Sequence, residues 1–348
     1  MNYTKSAPVY GVEKQDALGR HFPSAPASRV WVRSDMPAPW EAQEENSDRV
    51  LLRDWAPLHS ISFLGEHFSK RPISNARAAI WDECLKAWQE GKRTSCDLLE
   101  SFEDCFNAIQ NDDAKKLGVD RAHIMNEFVR WCRPNLSAIL ECLLADEKLI
   151  QDCSDKSYEH LNGFDKYVLI KSSKSSWVLR LHIWWPDKNR GYQENMHIHR
   201  WAFASCLVAG SLCQDVMEVG PGEKEELLKQ YEYRNRGDTK NHRYESTGED
   251  VLVHVEERCT FKSDQSYVFP LNRKHRVVQV EGADASVTIV LTAPSEQFST
   301  IWTKHDLSEE DQAPLISVDA VKVAFRKIQA YTRDPKKYKL KFHDALGK

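Results

Sequence analysis

The chain changes its hydrophobic period once, near Gly163. Before that glycine, from Ser74 to about Cys153, apolar residues recur at three- and four-residue steps, the spacing that gives a helix one buried face. Ala79, Ile80, Cys84, Leu85 and Trp88 make the first such run, and Gly91 ends it. Thr94, three residues before Asp97, reads as a capping box for a second helix carrying Leu98, Leu99, Phe102, Cys105, Phe106 and Ile109. A third run holds Ile124, Phe128 and Trp131 and is expected to stop at Pro134, which has no amide hydrogen to continue the ladder. Asn135 then caps a fourth, with Leu136, Ile139, Leu140, Leu143 and Leu144 on its buried face.

After Gly163 the period becomes two. The alternation predicts strands at Phe164–Lys171, Trp177–Trp185, Met196–Ala209, Leu212–Val219, Lys229–Arg236, Val251–Phe261, Tyr267–Phe269, Arg276–Val280 and Val287–Thr292. Turn signals at Gly210, Gly220-Pro221-Gly222, Gly237-Asp238 and Gly282 separate them, which argues an antiparallel sandwich or barrel of about eight strands. Ser317 then caps a last helix with Val318, Val321, Ala324, Phe325 and Ile328 on one face. The expected division is an irregular, proline-punctuated segment over 1–70, helices over 71–160, the strands over 161–296, and a C-terminal helix and tail over 297–348.

Composition narrows the function. Of 348 residues, 41% are hydrophobic and 29% charged, and the formal charge of -4 gives no basic surplus for a nucleic-acid partner. Apolar runs such as Ala138–Ala145 are too short to span a bilayer, and polar Met1–Arg20 lacks the apolar core of a secretion signal. A cytoplasmic chain with no membrane partner is expected. The nine cysteines are scattered, with no CxxC pair, as reduced small core residues would be.

The sharpest chemical signal is His197-Ile198-His199. On a strand, residues two apart share a face, so both imidazoles would look the same way, together with Trp201, Phe203 and Ser205. Gly210 follows at a distance suited to ending that strand. Far downstream, Ser266-Tyr267-Val268-Phe269-Pro270 leads into a short turn, His275 and a Val-Val strand. In these two segments, residues 197–210 and 266–280, the sequence resembles the cupin superfamily, whose first motif is HxH followed by glycine and whose second is an aromatic strand, a proline turn and one histidine. The resemblance covers about 130 residues and leaves the helical half outside it. It implies a cupin-like antiparallel β-barrel (jelly roll) for the strand region; together with the helices read from the hydrophobic period, the expected fold is α+β, with a helical N-terminal region, then the barrel, then a terminal helix.

The resemblance also implies one metal ion on His197, His199 and His275. Many cupins add a glutamate four or five residues after HxH; here those positions are Phe203 and Ala204. A three-histidine site remains, as in the thiol-dioxygenase-like branch. Three neutral ligands leave a divalent metal its full charge and open positions, which suits Fe(2+) binding a substrate and O2 together; other divalent metals remain open. Cupins often dimerise, so a homodimer is possible.

The second signal is the strand around Arg180, His182 and Trp184, which alternate with Leu179, Leu181 and Ile183. Leucines packed against helices would turn Arg180 and His182 inward. Arg180 then either anchors a substrate carboxylate or pairs with a protein acid such as Asp215 or Glu232. His182 is read as a base, a group supporting the ligands, a fourth ligand, or a hydrogen-bonded structural histidine, and Tyr231 or Tyr233, which share a face, as a hydrogen-bond donor to bound oxygen. Arg200 and Arg276 directly follow ligands and are expected on the outside. The overall expectation is an iron oxygenase or dioxygenase acting on a small amino-acid-like or carboxylate substrate. Arg180, Trp184, Trp201 and Phe203 would bind the substrate, and His182 and Tyr231 would be catalytic. A Zn, Mn or Ni isomerase, lyase or hydrolase and a non-enzymatic binding barrel are the alternatives.

Overall fold

The computed structural model describes residues 74–108, 121–172, 176–186, 194–234, 241–271, 273–278, 285–295, 299–308, 310–336 and 340, all within the unit Leu58–Lys348. The irregular segment expected over 1–70 lies outside them, as do Ile109 and the turns at Gly237 and Gly282. Helices α1 (Ser74–Gln89), α2 (Ser95–Ala108), α3 (Arg121–Leu144) and α4 (Glu147–Lys156) come first. Thirteen strands follow among the described residues: β1 Tyr158–His160, β2 Phe164–Lys171, β3 Val178–Trp184, β4 Met196–His197, β5 Phe203–Ala209, β6 Ser211–Val219, β7 Glu226–Arg234, β8 Asn241–Lys262, β9 Ser266–Phe269, β10 Lys274–Val278, β11 Ser286–Thr292, β12 Ser299–Thr303 and β13 Glu310–Gln312. Helix α5 (Val318–Arg333) closes the described part, capped by the Ser317 hydroxyl.

The strands form two antiparallel sheets, in the orders β1-β2-β3-β11-β5-β9 and β13-β8-β6-β10-β4-β12-β7. The two sheets fit the antiparallel sandwich that the turn signals allowed, not one closed barrel, and the described strands outnumber the expected eight. Strands β1, β12 and β13 have five residues or fewer, too short to display a period. The first half of β8 pairs with β7 and the second half with β6, which ties β7 back to β8 within the second sheet.

Two sequence expectations need correction. Pro134 does not end a helix; α3 runs through it. Val129, Cys132, Leu136, Ile139, Leu140 and Leu143 are all buried on one stripe that spans the proline. Burial at about 1.5–3 kcal/mol for each large side chain outweighs the cost of about 3 kcal/mol for an interior proline. Asn135 does not cap a new helix but donates its amide to the Trp131 carbonyl, 3.0 Å away. Likewise, the strand expected over Met196–Ala209 is two strands: β4 belongs to the second sheet and β5 to the first.

The outer face of the first sheet carries the main core. Leu179, Leu181, Ile183, Ala204, Cys206, Val287, Ile289 and Leu291 pack there with α3 residues such as Phe128 and Leu140 and with Phe325 of α5. Trp177 and Trp185 also belong to this layer. Between the sheets a second cluster joins Phe164, Trp184, Phe203 and Phe269 of the first sheet to Val216, Phe261 and Val277 of the second.

A charged ladder crosses the second sheet next to that cluster. Arg276 on β10, Asp215 on β6 and Arg258 on β8 are successive cross-strand partners. Asp215 accepts from Arg258 at 2.6 and 2.9 Å and from Arg276 at 3.1 Å. Arg276, expected outside, is buried because Asp215 and Glu226 take up its charge. The Arg276 hydrogen bond, helped by Lys304, holds the Glu226 carboxyl down at about 2. The stabilising contribution of Glu226 is therefore complete above its ordinary 4.5 and is lost as pH falls toward about 2. Over that interval the melting temperature of the wild type should fall more steeply than that of Glu226→Gln, and parallel curves would refute the assignment.

Candidate metal centre and its cavity

Strands β4 and β10 pair so that His197 stands directly opposite His275. Direct cross-strand partners share a face, which brings the two imidazoles together with ring centres 4.5 Å apart. His199 arrives differently. After His197 the chain leaves the second sheet, crosses the gap, and enters the first sheet at Phe203. The Ile198 N–H donates to the Thr300 carbonyl at 3.0 Å, and the Ser299 hydroxyl donates to the Ile198 carbonyl, which fixes the crossing. His199 on this crossing lies 4.7 Å from His197 and 5.0 Å from His275, ring centre to ring centre.

One donor nitrogen from each histidine falls within 4.8 Å of the other two. The Nε2 atoms of His199 and His275 are 2.9 Å apart. Two nitrogens bound at right angles to one ion, each at 2.0–2.1 Å, would stand about 2.9 Å apart, so this edge of the triangle fits a metal. The tautomers fit as well. His197 Nδ1 lies 2.9 Å from the Asn195 carbonyl, which must accept the Nδ1 proton and so leaves Nε2 bare. His275 Nδ1 lies 2.7 Å from the Gln214 side-chain amide, whose other end, Oε1, has no partner as drawn. Turning that amide about places Oε1 on the Nδ1 proton, satisfies both groups, and frees His275 Nε2 for a metal. Burial holds all three imidazoles below the ordinary histidine range, hence neutral and able to ligate. Phe203 meets His199 edge-on at 4.9 Å and Phe269 lies tilted against His275 at 4.3 Å, giving the site an apolar wall.

The three histidines line a cavity of about 160 Å³ between the sheets. Arg180, His182, Trp184, Trp201 and Phe203 line it too. Arg180 is 9% exposed, its Cζ lies 5.0 Å from the Trp201 ring centre, and its Nε has no hydrogen-bond partner. Asp215, one acid considered for it, is taken by Arg258 and Arg276. No carboxylate is among the groups acting on the Arg180 guanidinium, which burial lowers to about 10. His182 stands apart from the three-histidine group, with Phe164 at 4.6 Å and a buried, unpartnered Nε2. Burial, followed by Lys166 and Arg180, holds it well below the usual range.

Tyr231 is placed elsewhere. It is not in the cavity wall, and its hydroxyl meets Asp306 at 3.3 Å and the Leu307 N–H at 3.4 Å; Tyr233, two residues on, lines the cavity instead. Arg200 was expected outside, yet it lines the cavity with its Cζ 4.7 Å from the Trp201 ring. Alternation misplaces it because there is no strand at the crossing. Lys166 shares the inward face of β2 with Phe164, a signal that alternation did contain. Glu194 lies outside any strand and had no signal. Its Oε2 accepts from the Val277 N–H at 3.1 Å, while Oε1 and the nearby Trp184 indole N–H stop short of a hydrogen bond. Burial pushes the Glu194 carboxyl up to about 8.

No family model and no curated protein matches the chain. Among solved structures it is similar, over part of its length, to DMSP lyases RdDddP and RnDddQII, at 16% identity over 39% of this chain and 50% of that one, with a TM-score of 0.24. It is similar to the polyketide cyclase RemF from Streptomyces resistomycificus at 12% identity, over 44% of this chain and 81% of that one, with a TM-score of 0.26. The DMSP lyase DddQ from Ruegeria pomeroyi DSS-3 shows 11% identity over 42% and 54%, with a TM-score of 0.24. The chain thus spans about half the length of the lyases it matches.

Proposed function

We propose that this chain is a metal-dependent enzyme of cupin type, a mononuclear non-haem iron oxygenase acting on a small amino-acid-like or carboxylate substrate. The observation that carries this reading is the convergence of three neutral imidazoles on one wall of a cavity whose other wall holds a guanidinium with no acid partner. His197, His199 and His275 would hold Fe(2+), which supplies a site where O2 and the substrate's donor atom meet. Arg180 takes the substrate carboxylate through its fork of N–H donors. Trp184, Trp201 and Phe203 shape the space and keep bulk water out. A cavity of about 160 Å³ admits a molecule of roughly benzene's size, so the substrate is small. His182, which burial keeps neutral and whose Nε2 has no hydrogen-bond partner, lines the cavity, which supports a role as a proton acceptor.

A second reading keeps the metal and replaces oxygen chemistry with Lewis-acid isomerase, lyase or hydrolase chemistry on Zn, Mn or Ni. Glu194 favours it: a cavity carboxyl held at about 8 can give and regain a proton near neutral pH. Anaerobic purification followed by elemental analysis and O2 uptake separates the two. Iron close to one per chain with O2 consumption is expected. A redox-inert metal without O2 uptake would overturn the oxygenase and leave the second reading; a protein that holds no metal would overturn both.

A further inference from the structure

Three cations share the cavity wall, where a monocarboxylate substrate needs one. Lys166 on β2 and Arg180 on β3 face the same way on neighbouring strands, where Lys166 pairs with His182 and Val168 with Arg180. Arg200 comes from the crossing, and its guanidinium and that of Arg180 lie 4.7 and 5.0 Å from the ring centre of one indole, Trp201. The Nε atoms of both arginines are buried without partners. Lys166 donates to the Tyr158 hydroxyl at 2.6 Å, an oxygen that burial keeps protonated and uncharged.

Counter-charge is missing. Among the described residues no carboxylate forms an ion pair with any of the three. Glu194, the acid in the wall, is mostly protonated at neutral pH. Burial, then Arg180 and Arg200, hold the Lys166 amine well below the usual lysine range, so it holds its proton firmly only when an anion comes to rest beside it. Uncompensated buried charge is costly, and a protein keeps it where a ligand completes the pairing. One carboxylate on Arg180 would leave Lys166 and Arg200 uncompensated. From this cluster we infer that the cavity takes a small substrate with two anionic groups, the first on Arg180 and the second between Lys166 and Arg200. The inference rests on the reading of the cavity as the substrate site and narrows its substrate class to dianions.

The test compares malonate with propionate, molecules of similar size that differ by one charge, in calorimetric titrations of the full-length protein with and without metal. Malonate should bind at least ~10-fold more tightly in both forms, because one more charge-assisted contact is made. Lys166→Gln and Arg200→Gln should each shrink that ratio several-fold and leave propionate binding nearly unchanged, and Lys166→Gln, which lies on the first sheet away from the three histidines, should leave metal content unchanged as well. Arg200→Lys, which keeps the charge, should retain most of the preference and controls for loss of folding. Equal binding of the two anions, or of neither, overturns the inference. So does a preference that survives both glutamine variants, since malonate would then be chelating the metal. An absent metal sinks the oxygenase reading without touching the anion ratio of the metal-free protein, so the two failures are distinguishable.

Discussion

His275→Ala is expected to leave the purified protein with less than about a tenth of the wild-type metal, and with no metal-dependent activity. Loss of a partner that merely orients a ligand costs about 10–100-fold in metal affinity, and loss of the ligand itself costs more. His275 also supplies one end of the 2.9 Å edge with His199 and packs on Phe269. Gln214→Leu should be milder. It removes the acceptor that fixes the His275 tautomer, and metal affinity should fall by about 10–100-fold while the ion still binds at saturation. Metal stoichiometry and a chelator competition measure both. Full occupancy in His275→Ala would refute the three-histidine centre.

Asp215→Asn should cost about 1.5–3 kcal/mol of folding stability in urea denaturation, because it removes one of the two carboxylates paired with the buried Arg276 and leaves only Glu226. Asp215 is 0% exposed and sits between Arg276 and Arg258 on three successive strands. Arg258→Gln is the contrast: with its side chain 56% exposed, its loss should cost less than about 1 kcal/mol. Asp215→Asn should also weaken metal binding, since the ladder pins β10 next to the residue that presents His275. A change below about 1 kcal/mol would show that the ladder does not hold the sheet.

Much of this arrangement was legible in the sequence, for reasons that can be named. Strand β2 begins and ends at the residues that alternation marks because one side packs on the helices and the other lines the cavity, and α5 starts at its predicted cap because it has one wet face and one buried face. Arg180, His182 and Trp184 reach the cavity because Leu179, Leu181 and Ile183 need the helix-side core. The three histidines converge, but His199 does so for a reason a strand pattern does not contain. A chain that changes sheets after His197 keeps the same sequence texture as one continuous strand, so Arg200 is assigned to the wrong side and Trp201 to the right side by accident. Pro134 misled because a local rule was outweighed by a long buried stripe. Glu194 was invisible, since nothing in its neighbours announces that a loop carboxyl will be buried.

The crossing at 198–202 also has an evolutionary side. The donor nitrogens come from the second sheet and from the crossing itself, whereas Lys166, Arg180 and His182 come from the first sheet. On the proposed function, the positions that would hold the ion and those that would choose the substrate occupy separate layers, so substitutions could accumulate in one without passing through loss of the other. A lineage that exchanged Lys166 or Arg180 for neutral residues would then alter which molecule is accepted and keep the three histidines. Arg200 and Trp201 are the exception: bound to the crossing beside His199, they are where a change in diet would first disturb the engine.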